Sequence, residues 1–139
     1  MKKSLSILVL IIILFCALYA TDATKISVDV LSKTSKSWNG HALPRYSKGK
    51  PEITILRISI PPHTDLAWHE HPEINAGVMI SGELTVITDK QDTLHLQAGD
   101  PIVEVVNTWH FGKNEGDEPV DIIVFYAGIK GKAVTILEE

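Results

Sequence analysis

The stretch "WHEHPEINAG", Trp68 to Gly77, sets two histidines one residue apart and follows them with Glu73 and Asn75. On an extended strand successive side chains face opposite sides, so His69 and His71 point the same way, with Cα atoms about 6.5 Å apart. Two imidazoles so placed can chelate one transition-metal ion if the strand lines a closed cavity, and the pair then needs a third ligand from elsewhere. His110, in "NTWHFGKN", is the best candidate, because it follows a turn and an apolar strand. Glu73 shares the strand parity of the two histidines, although Pro72 disturbs regular alternation at that point. Glu73 and Glu104 are candidates for proton transfer, with an outer strand face the commoner place for Glu104. His41, His63 and His95 have no chelating partner near them in sequence and read as ordinary polar residues.

Strands must position these groups. "EITILRISI" is rich in β-branched residues, "GELTVIT" and "TLHLQ" flank "DKQD" as a hairpin, and "PIVEVV", "PVDIIVFYAG" and "AVTIL" continue the pattern. "TKISVDVLS" alternates Ile26, Val28 and Val30 with polar neighbours and is expected to be a further strand. Downstream of the first 23 residues no segment has the apolar spacing of an amphipathic helix. Many short strands closed by Gly and Pro turns predict an all-β fold, a sandwich or barrel, in one unit covering residues 24–139. Trp68 and Trp109 each precede a proposed ligand and should face away from it, Arg57 should lie on an exposed edge, and Tyr126 is open between cavity and core.

The first 23 residues read as an export signal, with Lys2 and Lys3, an apolar run from Leu5 to Tyr19, and small residues at Ala17, Ala20 and Ala23. The run is shorter than the roughly 20 apolar residues a spanning helix needs. Cleavage after Ala20 or Ala23 removes Cys16, the one cysteine, so the mature chain has neither disulfide nor thiol nucleophile. The expected location is periplasmic or secreted, with no membrane attachment after cleavage. The net charge of −4 moves to about −6 once Lys2 and Lys3 are lost, and without clustered Lys and Arg there is no case for a nucleic-acid partner.

Two longer segments tie these observations together. "HTDLAWHEHPEINAGVMISG" follows the pattern G-x5-H-x-H-x3 or 4-E-x6-G at His69, His71 and Gly82, and "GDPIVEVVNTWHFGKN" follows G-x5-P-x-G-x2-H-x3-N at Gly99, His110 and Asn114. Over roughly Ile53 to Tyr126 the chain resembles the cupin family, whose members are small jelly-roll β-barrels. His63, Val105 and Asn107 stand where the family's glycine, proline and second glycine fall, and Asn tolerates positive φ better than most residues. The resemblance implies one divalent transition metal (Fe, Mn, Ni, Cu or Zn) on His69, His71 and His110. Its spacing puts Asn75 at the acidic ligand's position, with Glu73 the alternative. It also implies a small organic substrate, anionic or enolisable, handled by oxygenase, isomerase or lyase chemistry, and a homodimer. The alternative is a non-catalytic module of the same fold that binds or senses a small ligand or metal.

Overall fold

The computed structural model describes residues 25–138, so the expected export signal and its expected cleavage site lie outside the described residues. Ten strands and no helix form this part of the chain. They are β1 (Pro51–Ile60), β2 (Thr64–Asp65), β3 (His69–Glu70), β4 (Asn75–Ser81), β5 (Glu83–Thr88), β6 (Thr93–Gln97), β7 (Pro101–Val103), β8 (His110–Asn114), β9 (Val120–Ile129) and β10 (Ile136–Leu137). One sheet has the order β1-β9-β4-β7 and the other β10-β3-β8-β5-β6, with β2 also paired to β8. Every pair is antiparallel. Neighbours in each sheet are mostly distant in sequence, which is the crossing pattern of a jelly roll. The expected all-β jelly-roll class is what the chain adopts.

Alternation explains which side chains meet between the sheets. On β9, Val120, Ile122, Val124 and Tyr126 are buried while Ile123 and Phe125 are exposed; on β5 and β6, Leu84, Val86 and Leu96 face inward. These residues join Ile60, Met79 and Ile102 in one apolar core. Burying such side chains is worth roughly 1.5–3 kcal/mol each, and with no disulfide among the described residues the core carries the fold. The outer face of the first sheet is also apolar: Ile55 is paired with Phe125, and both are exposed.

Among the turns with left-handed backbone, three bear on the motifs' non-standard or crowded positions. Gly82 has φ +77°, and a Cβ there would stand 2.8 Å from the Pro119 carbonyl oxygen. His63 and Asn107, at the family's glycine positions, have φ of 51° and 50°. The left-handed turns are therefore kept without glycine, and His63 is tied by its Nε2 to Asp117 at 3.0 Å. Asn114, the last residue of the second motif, is fully buried and donates to the carbonyls of Ile60, Pro61 and Glu118, while its Oδ1 accepts from Gly116 N–H. It sews the end of β8 to the end of β1.

Two strand expectations are corrected. Residues 26–30 form no strand, and Ile26, Val28 and Val30 are exposed. A two-residue period marks a segment able to be a strand, but among the described residues no strand pairs with it, and a strand needs a partner. "AVTIL" is strand only at Ile136–Leu137.

Candidate metal centre

The H-x-H pair sits on β3 and the short segment leading out of it, and β3 pairs with β8 so that His69 stands opposite His110. This register brings the first and second motifs together. The ring centroids of the three histidines lie 4.4–5.1 Å apart, and one ring nitrogen of each falls within 4.8 Å of the others. His71 and His110 are buried and His69 is partly exposed.

Backbone carbonyls fix how the rings point. Nδ1–H of His69 donates to Ala67 O at 2.8 Å, Nδ1–H of His71 to Val134 O at 2.9 Å, and Nδ1–H of His110 to Thr108 O at 2.8 Å. A carbonyl oxygen only accepts, so each Nδ1 carries a hydrogen and Nε2 is the ring nitrogen left to bind a metal. Burial lowers His71 and His110 to about 4, overcoming the opposing effect of those carbonyl bonds, and the neighbouring histidines lower His71 further. Both rings are neutral at pH 7, the form that binds metal. A ring oriented through its other nitrogen is the usual support of a metal-bound histidine.

The unsatisfied atoms point the same way. Among the described residues, four buried side-chain polar atoms have no hydrogen-bond partner: Trp38 Nε1, Asn75 Oδ1, Glu104 Oε2 and His110 Nε2. The last two face each other at 3.7 Å, beyond hydrogen-bonding distance. Leaving Glu104 Oε2 and His110 Nε2 unpaired and buried is costly, and a cation between them would satisfy both. The donor set and its geometry therefore fit a divalent transition metal.

The histidines open onto a cavity of about 240 Å³ between the sheets. Its walls are mostly aliphatic, from residues such as Ile58, Leu66, Val86 and Val124, and its polar end is formed by the histidines, Glu104, Tyr126 and Thr135. No lysine or arginine lines it. Tyr126, undecided from sequence, is buried against His71 with ring centroids 5.4 Å apart. Desolvation raises its pKa, so its hydroxyl stays protonated.

A family model described as "Cupin domain" matches residues 56–126, half of the chain. The chain belongs to the cupin family. Among curated proteins this cupin is similar to the "H2HPP isomerase" of Bacillus subtilis, 30% identical over 80 residues that make up 55% of this chain and 32% of that one. It thus spans about a third of that relative's length. Among solved structures it is similar to an uncharacterised conserved protein with a double-stranded β-helix domain from Klebsiella pneumoniae, at TM-score 0.54 and 25% identity, covering 68% of this chain and 90% of the other. It also resembles a cupin-like protein from Thermotoga maritima, at TM-score 0.56 and 16% identity over 62% and 64% of the two chains, which bears on fold alone.

The remaining sequence candidates separate clearly. Asn75 is buried on β4 but is not among the cavity-lining residues; its amide N–H contacts Glu73 O at 3.4 Å. Glu73 is buried in the bend before β4, also away from the lining. Glu104 is corrected from an outer-face position: it is 9% exposed and lines the cavity. Desolvation pushes its carboxyl up to about 7, against the lowering by a backbone hydrogen bond at Val105. The signal for it was present in "PIVEVV", where Glu104 shares parity with buried Ile102. Trp68 packs on Phe111, ring centroids 4.6 Å apart, and Arg57 pairs with Asp121 on the exposed edge strand β1.

Proposed function

We propose that this cupin holds one divalent transition metal through the Nε2 atoms of His69, His71 and His110 and uses it to act on a small organic molecule. The observation that carries this reading is the common tautomer, three Nδ1–H groups held by backbone carbonyls so that three lone pairs converge. When bound, such an ion supplies a Lewis acid that polarises a substrate oxygen. The chain's own contribution is to hold the His71 and His110 rings neutral, shape a largely apolar wall and set the Tyr126 hydroxyl and Glu104 carboxyl beside the reacting end.

The cavity narrows the substrate class. Its volume is below the roughly 300–1,000 Å³ of typical ligand pockets, so the ligand is small. Without a lysine or arginine in the lining, a negative charge finds compensation only at the metal end. The substrate is therefore a molecule with one carboxylate or enolisable carbonyl and an otherwise uncharged body. Similarity to a curated isomerase supports small-molecule chemistry of the isomerase kind rather than a purely structural role.

We further propose that residues 1–23 direct export to the periplasm or exterior, that residues 24–139 are the mature domain, and that the apolar outer face of the β1-β9-β4-β7 sheet pairs two copies. Elemental analysis of untagged protein from its native compartment, beside His110→Ala, tests the central reading. About one transition-metal ion per chain, lost in the variant, is expected. No metal after reconstitution under reducing conditions would overturn it and leave a metal-free binding module.

A further inference from the structure

Within the proposed metal centre, one position conflicts with the family pattern. Where that pattern has its acidic residue the chain has Asn75, a neutral amide, and three neutral imidazoles with an amide would leave a divalent charge uncompensated in a buried site. The sheet places a carboxylate next door. Ala76 on β4 pairs with Val103 on β7, and one residue further along the same pair of chains Glu104 N–H donates to Asn75 O at 3.2 Å. Asn75 and Glu104 are thus neighbours across two hydrogen-bonded segments, yet Glu104 lines the cavity and Asn75 does not.

We propose that Glu104, rather than Asn75 or Glu73, is the acidic member of the metal set, so that the carboxylate has moved across one strand while the histidines have stayed in place. Its Oε2 is buried without a partner and stands 3.7 Å from His110 Nε2, which is equally buried and unpartnered. Donors that bind one ion at about 2.0–2.2 Å lie roughly 3–4 Å from each other, so this separation suits two ligands of a shared ion. No lysine or arginine lines the cavity to neutralise Glu104 instead, and its carboxylate is the one acidic group in the lining. Asn75 is left with a structural task, holding the bend at Glu73 and the register to Tyr126.

The test is Mn(II) and Zn(II) binding to metal-stripped protein by chelator competition, for the parent chain, Glu104→Gln, Asn75→Ala, Glu73→Gln and His110→Ala. Mn(II) prefers oxygen donors more strongly than Zn(II) does, so Glu104→Gln should weaken Mn(II) by at least about tenfold and Zn(II) by less. Asn75→Ala and Glu73→Gln should each change both by under about threefold. Circular dichroism and thermal midpoint of the metal-free Glu104→Gln chain should match or exceed the parent's, because an unpaired buried acid has been removed. X-ray absorption of the Mn(II) form should lose one oxygen neighbour. Parent-like Mn(II) affinity in Glu104→Gln, with binding abolished in His110→Ala, would overturn this assignment and leave the metal reading standing. Loss of affinity in Glu73→Gln or Asn75→Ala instead would overturn it too. A parent chain that binds neither metal would remove both readings.

Discussion

Proton competition is the first thing that metal capture by three imidazoles must survive. Single replacement of His69, His71 or His110 by alanine should lower metal content at least about tenfold while leaving a β-type circular dichroism spectrum, because each removes one of three donors and none belongs to the apolar core. The metal-free protein should also respond to acid in a defined direction. His71 and His110 titrate near 4 when folded against 6.5 unfolded, so between those values the unfolded chain binds more protons and stability falls as pH falls. Glu104, near 7 folded against 4.5 unfolded, works the other way, losing stability as pH rises through that window. Two histidines against one glutamate leave, from these three groups, a slope of about 1.4 kcal/mol per pH unit between 4.5 and 6.5. Glu104→Gln should roughly double that slope in urea denaturation of chelator-treated protein; an unchanged slope would show that Glu104 does not titrate in the cavity. The histidines were legible in sequence because a strand's parity and a metal's preference for imidazole point to the same residues. Glu104 was only partly legible: it shares parity with buried Ile102, but β7 ends at Val103 and Val105 is buried as well, so alternation no longer separates an inner from an outer face there.

Elements hold the site through their ends rather than their middles. Asn114 joins three carbonyls from two turns, so Asn114→Ala strands several buried groups and should cost on the order of 3 kcal/mol, read as a lower urea midpoint. Gly82→Ala should cost on the order of 2 kcal/mol, since it puts a Cβ both at positive φ and against Pro119 O. Parent-like midpoints for both would mean that these turns do not set the stability of the barrel. The motif glycines, asparagines and hairpin signals were readable because turn chemistry is local. Pairing was not: nothing in "TKISVDVLS" distinguishes it from "EITILRISI" until the latter is found aligned along all ten residues of β9.

At the scale of the molecule, the exposed Ile53, Ile55, Ile123 and Phe125 give the first sheet an apolar outer surface that a monomer would leave wet. Light scattering of the mature protein should report a dimer, and Ile55→Lys with Phe125→Asp should return a monomer with its metal content unchanged. A monomeric parent would refute the pairing. The sequence disclosed the all-β class and the strand-rich span, whereas the apolar outer face emerged only when alternate residues of β1 and β9 were seen on one side of the sheet. The short β10 strand has a kinetic consequence. Its Ile136 and Leu137 pair with β3 beside the H-x-H residues, and Val134 just before it supplies the carbonyl that orients His71. Peeling two residue pairs from the rim would free that ring. If the site holds an ion, its exchange should therefore keep time with hydrogen exchange at Glu138, whose amide is bonded to Trp68 O, and β10 would be the latch whose opening sets how long that ion stays.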